Sequence, residues 1–104
     1  MAKYVIEGKL FDTDDAELVH DWENGEAYGD LNYLNETLYC TPQKSFFVVG
    51  DGGARTLYAQ PNGANSFTGG TGAAVLTADE ALEWLQNHDA DADTILQYFE
   101  LPVG

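Results

Sequence analysis

From Leu10 to Gln43 the chain reads LFDTDDAELVHDWENGEAYGDLNYLNETLYCTPQ, with nine carboxylates and not one lysine or arginine. The acids are Asp12, Asp14, Asp15, Glu17, Asp21, Glu23, Glu26, Asp30 and Glu36. Like charges without counter-ions repel, at a cost that rises as the chain compacts. A domain that needs only solubility can intersperse lysine and arginine and avoid that cost. Such a concentrated negative surface serves solubility, adapts the chain to high salt, or meets a partner with a basic surface. A surface built to hold nucleic acid fits the last of these.

The rest of the composition narrows the choice. A chain of 104 residues with no low-complexity tract is expected to be one domain, long enough for a core of modest stability. With 44% hydrophobic and 12% aromatic residues it is no disordered acidic tail, because such tails lack the apolar surface that offsets ordering entropy. The balance of 4 Lys+Arg against 18 Asp+Glu gives −14, which opposes direct binding to nucleic acid or to an anionic membrane. No signal-peptide core precedes the first charges and no run approaches a membrane span. Cys40 is the one cysteine, so neither an internal disulfide nor a thiolate metal cluster is expected. The expectation is a cytoplasmic protein of a bacterium or of something living inside one, a monomer or weak dimer.

In chain order, Tyr4–Phe11 alternates apolar and polar residues and predicts one strand, with a turn at Asp12–Asp15. Ala16–Glu23 is open between helix and strand. Helical spacing groups Ala16, Val19, His20 and Glu23, a poor stripe. Period two groups Leu18, His20 and Trp22 against Glu17, Val19, Asp21 and Glu23, the better fit. Asn24–Asn32 reads as loop. Asn35–Thr41 and Ser45–Val49 read as strands around a turn at Pro42-Gln43-Lys44, the second of them buried. Asp51-Gly52-Gly53 is expected to turn the chain, Thr56–Gln60 to be a short strand, Pro61–Gly72 a loop and Ala73–Leu76 a last short strand. Thr77 and Glu80 form a capping box ahead of a helix over about 78–87, with Ala81, Leu82, Trp84 and Leu85 facing inward. Asp91 or Asp93 caps a short final helix that Pro102 stops. The fold class is α+β: an antiparallel sheet of four to six strands with two C-terminal helices packed on one face.

Motifs with chemical content are few. Asp89, Asp91, Asp93 and Glu100 match positions 1, 3, 5 and 12 of a calcium-binding loop, but Thr94 stands where the turn needs glycine. Helix capping explains Asp91 and Asp93 better. The glycines at 50–53 and 69–72 lack the lysine and hydroxyl of a phosphate loop and read as turns. His20 and His88 have no metal-ligand spacing. Cys40 sits inside a predicted strand as a small apolar residue, and no nucleophile–base pair is recognisable. No catalytic residue, cofactor or metal is therefore expected. Phe11, Trp22, Tyr28 and Tyr33 lie among the acids, either as packing or as aromatic anchors of an electrostatic interface.

One resemblance extends over about Leu10 to Leu85. It is carried by Phe11-Asp12-Thr13 with Ala16-Glu17-Leu18-Val19, Glu36-Thr37-Leu38-Tyr39 with Thr41, Phe47, and Gly52-Gly53-Ala54 with Thr56 and Tyr58-Ala59. Leu76-Thr77 and Glu80-Ala81 with Trp84-Leu85 complete it. This order resembles a family of small, mostly uncharacterised proteins carried by bacterial mobile elements, phages and plasmids; Ser45 stands where that family's hairpin has glycine. In size and charge such proteins resemble the anti-CRISPR inhibitors, several of which occupy nucleic-acid sites as DNA mimics. The resemblance implies a non-enzymatic inhibitor whose partner is a basic nucleic-acid-binding protein, a subunit of a CRISPR effector. Its interface would comprise Glu17, Asp21, Glu23, Glu26 and Asp30, with Asp12, Asp14 and Asp15 as a second patch. Along a strand, alternate side chains recur at about 6.6 Å, close to every second phosphate level at about 3.4 Å each. Two other readings stay open: a protein-interaction accessory domain of a mobile element, and a halophilic cytosolic protein that is acidic for solubility.

Overall fold

The computed structural model describes residues 3–26, 30–53, 60–61, 67–68 and 70–104. Its element order is β1 (Lys3–Ile6), β2 (Lys9–Asp12), β3 (Glu17–Glu23), β4 (Leu34–Cys40), β5 (Phe46–Gly52), β6 (Gln60–Pro61), β7 (Phe67–Thr68), β8 (Gly70–Leu76), α1 (Ala78–Asn87) and α2 (Ala92–Leu96). The central sheet is antiparallel with order β3-β4-β5-β8; β1-β2 and β6-β7 are separate two-stranded ribbons. The two helices pack on one face of the central sheet, as the α+β expectation has it.

The stretch expected as one strand over Tyr4–Phe11 is instead a hairpin. Ile6 pairs with Lys9, and the two residues between them carry positive φ, 52° at Glu7 and 79° at Gly8. That is the mirror-image two-residue turn whose twist matches its flanking strands, and Gly8 enters it without steric cost. The alternation misled because it continues through the turn. The hairpin lays Phe11 against Phe47 at 5.2 Å between ring centroids, on the sheet face opposite the helices. Tyr39 also stacks on Phe47, with centroids 5.2 Å apart, and Phe47 is wholly buried.

Ala16–Glu23 resolves as a strand, Glu17–Glu23. β4 and β5 lie where Asn35–Thr41 and Ser45–Val49 are expected, and β5 runs three residues further. The expected turn at Asp51-Gly52-Gly53 is displaced: Asp51 and Gly52 still pair, with Asn35 and Leu34 on one side and Thr71 and Gly70 on the other. The predicted Pro61–Gly72 loop is likewise corrected, since Pro61, Phe67, Thr68 and Gly70–Gly72 are all in strands. Glycines leave no side-chain period to read, but their backbone N–H and C=O groups pair across the sheet like any others. Most of the expected Thr56–Gln60 strand lies outside the described residues; Gln60 belongs to β6.

Gly53 follows β5 and its N–H donates to the carbonyl of Tyr33 (2.8 Å). A Cβ here would collide with the carbonyl oxygen of Asp30 and the carbonyl group of Leu31. These are backbone atoms that cannot swing aside. Gly53→Ala is expected to lower stability by about 1–3 kcal/mol, the cost of forced overpacking, measured by urea unfolding. An unchanged midpoint would mean that this close approach does not exist.

The helical layer follows local rules. Glu80 N–H donates to Thr77 Oγ1 (3.1 Å) and Thr77 N–H to Glu80 Oε1 (2.8 Å), completing the expected box. α1 buries Ala81, Trp84 and Leu85 against Val19, Leu38, Cys40, Phe46 and Val48. Asp91 caps α2, accepting from Thr94 N–H at 2.9 Å, and Ile95 enters the same core. Beyond α2, Phe99 stacks on Phe46 with centroids 5.4 Å apart, which folds the C-terminal segment back onto the sheet. No helix among the described residues is long and apolar enough to cross a membrane.

Candidate partner interface

The acids are distributed by an irregularity in β3. Leu18 pairs with Tyr39 and His20 with Leu38, so Val19 is an extra residue bulged into the ladder. A bulge shifts the alternation by one residue, so side chains before and after it exchange faces. Glu17 (opposite Cys40), His20 (opposite Leu38) and Trp22 (opposite Glu36) share the helix face, while Leu18, Asp21 and Glu23 share the other. Val19 is buried in the core, contrary to the outward position that strict period two assigns it. Glu17 is therefore out of line with Asp21 and Glu23. Its Oε1 accepts from the Tyr98 hydroxyl, and burial together with this carboxylate pushes the Tyr98 phenol well above its usual value.

Asp21 and Glu23 remain as an exposed pair, about 6.6 Å apart by strand geometry. Asp21 Oδ1 accepts from the Thr37 hydroxyl of β4 at 2.9 Å, which fixes its direction. Glu26 and Asp30 are exposed in the β3–β4 connection, at the Glu23 end of the strand. Side-chain oxygens brace that connection: Asn24 Oδ1 accepts from the N–H groups of Glu26 and Leu34 (3.2 Å each), and Asp30 Oδ1 from Asn32 N–H (2.8 Å). Asp12, Asp14 and Asp15 form the β2–β3 turn at the other end, where Asp12 Oδ1 accepts from Asp14 N–H at 2.9 Å. The predicted residues thus form two patches at opposite ends of a strand about 20 Å long. Among the described residues none of these eight acids is ion-paired to a lysine. Of the aromatic candidates, Phe11 is buried, Trp22 and Tyr33 are half-buried, and Tyr28 lies outside the described residues.

The ninth acid is not on the surface at all. Glu36 is 8% exposed on the helix face of β4. Its Oε1 accepts from Trp84 Nε1–H (3.2 Å) and meets His88 Nε2 at 2.8 Å. His88 Nδ1–H donates to the Trp84 carbonyl (2.7 Å), and His20 Nε2–H donates to the His88 carbonyl (2.8 Å). Trp84 stacks on His88 at 4.1 Å and Trp22 meets it edge-on at 4.5 Å. This cluster ties the end of α1 to β3 and β4, and both His88 nitrogens are committed to it. Nothing in the charge pattern marks Glu36 as different. The usable signal is its period-two alignment with Leu38 and Cys40.

The remaining chemistry is sparse. Cys40 is buried with its thiol donating to the Thr41 carbonyl (3.6 Å), and burial pushes the thiol above its ordinary value, which disfavours the reactive thiolate. Among the described residues no group of three or more His, Cys, Asp or Glu side chains is placed to hold a metal. The two Thr94 hydrogen bonds hold the Asp91 carboxyl below its usual value, so this acid serves α2. Calorimetry with calcium is expected to show no binding tighter than about millimolar. A micromolar site lost in Asp89→Asn would reverse that. No family model, curated protein or solved structure matches the chain.

Proposed function

We propose that this chain is a non-enzymatic inhibitor of a bacterial defence complex, an anti-CRISPR protein of the host-cell cytoplasm that occupies a DNA-contacting surface of the effector by acidic mimicry. The observation that supports it most is the exposed pair Asp21 and Glu23. The two project from one face of a sheet edge, with Glu26 and Asp30 beyond them and, among the described residues, no lysine paired to any of them. Carboxylates held on a strand are preorganised, so a target whose lysines and arginines are arranged for phosphates meets them without first ordering a flexible tail. A net charge of −14 steers the encounter and disfavours nucleic acid itself as the partner.

The test is competition. A purified effector titrated with this protein should lose DNA binding in proportion to occupancy. Complex formation should weaken steeply with added salt, because exposed charges are screened over about 8 Å at physiological ionic strength. An effector that binds DNA normally while saturated with the protein would end the mimicry reading.

A further inference from the structure

The backbone of β3 has a direction that the acids exploit. Asn24 N–H donates to the Leu34 carbonyl at 3.0 Å, so the backbone at Asn24 is turned toward β4. Antiparallel ladders alternate, each residue turning both its N–H and its C=O to one side and the next turning both to the other. Trp22 is then turned toward β4, and Asp21 and Glu23 turn their N–H and C=O groups outward. β3 is the end strand of its sheet, and among the described residues nothing hydrogen-bonds to that outer edge. Beyond the bulge at Val19, the two residues of β3 whose backbone groups turn outward are therefore the same two that carry the exposed carboxylates.

We propose that this edge receives an extended basic segment of the partner, which adds to the sheet as a further strand beside β3. The inference rests on the reading of a basic protein partner given above and specifies how that partner is held. Backbone hydrogen bonds to an open edge give affinity that is indifferent to sequence, and side chains at alternate positions give selectivity. Residues placed across from Asp21 and Glu23 would sit about 5.5 Å away, Cα to Cα. Lysine or arginine there gains from opposite charge, whereas acidic residues are repelled. The same acids exclude the obvious competitors. A second copy pairing through β3 would bring its own Asp21 and Glu23 against these two, and nucleic acid is anionic throughout. The bulge at Val19 limits the usable edge to the part of the strand beyond it, where Asp21 and Glu23 lie.

The probe is a short synthetic peptide alternating lysine with threonine, added to the full chain at low salt, alongside a twin N-methylated at alternate amides on one edge. N-methylation removes donors and leaves the charge untouched. If the strand adds, the unmodified peptide binds, the amide protons of Asp21 and Glu23 become protected from exchange, and the twin binds roughly fivefold more weakly for each donor blocked. Equal binding of the two peptides would overturn strand addition while leaving the acidic-mimicry reading intact, because charge alone would then account for the attraction. No binding of either peptide would also overturn it. Failure of the function itself would appear elsewhere, as an effector that keeps its DNA.

Discussion

Trp84→Ala is expected to lower the stability of the chain by about 3–5 kcal/mol, the range for removing a large aromatic from a core. Trp84 is 9% exposed and packs within the cluster of Val19, Leu38, Cys40, Phe46, Val48, Leu85 and Ile95. Its loss would remove the stacking partner of His88 and the edge-on contact with His20 at 5.9 Å. It would also take the indole donor from Glu36. A buried carboxylate that loses one of its donors is costlier than the vacated volume alone suggests. In a domain of this size each kcal/mol moves the melting temperature by about 4–8 °C, so the mutant should melt well below the parent. Urea unfolding of Trp84→Phe separates the two contributions. It keeps most of the ring but has no N–H, and should cost about 1–3 kcal/mol, from the lost indole hydrogen bond to Glu36. A loss below about 1 kcal/mol for the alanine variant, outside the range for a buried aromatic, would mean that α1 turns this face to water.

The double reversal Asp21→Lys with Glu23→Lys should reduce partner affinity at least about a hundredfold. Close charge pairs across an interface couple by about 1.5 kcal/mol or more each, and two such pairs exceed the interval for two decades in Kd. Both residues are exposed, so the fold should survive. Asp21 would forfeit its hydrogen bond from Thr37, about 1 kcal/mol at most for an exposed pair. Reduced repulsion within the acidic stretch works in the opposite sense. Reversal of Asp89 and Asp91 is the matched control, with the same change in net charge at the α1–α2 junction. It should leave affinity nearly unchanged and cost about 1 kcal/mol of stability through the lost cap on α2. Equal loss of binding in both doubles would point to net charge rather than to the β3 edge.

The two experiments probe opposite faces of one strand. On the helix face His20 and Trp22 hold the Glu36–His88–Trp84 cluster; on the other face Asp21 and Glu23 are free for a partner. The packing on the first side anchors the strand that carries the acids of the second. A partner of the kind proposed, with a surface built for phosphates at fixed spacing, would benefit from carboxylates held this way, since little ordering entropy would remain to be lost on binding.

Much of this was legible in the chain itself, wherever the determinant is local. The Thr77–Glu80 box, the Trp84 stripe and the Asp91 cap depend on residues three or four apart, and the helices start where those signals place them. The α+β layering follows from strands preceding helices along the chain. Period two favoured a strand over a helix for Ala16–Glu23, because helical spacing offered only a poor apolar stripe there, and pairing with β4 decided it. Three matters were decided only by tertiary contacts. The Glu7-Gly8 turn interrupts an alternation that looks continuous, and only the pairing of Ile6 with Lys9 exposes it. The glycine-rich segment at Gly70–Gly72 is a strand because β5 supplies hydrogen-bond partners that its own side chains do not announce. The roles of the acids divide by register. One bulged residue, Val19, puts Glu17 on the helix face and leaves Asp21 and Glu23 on the other, and the β4 alternation buries Glu36 under Trp84. The stretch from Leu10 to Gln43 reads as nine equivalent carboxylates; which of them meet water, a tyrosine or a histidine depends on pairings between residues distant in sequence, where a shift of one position exchanges the two faces of the sheet.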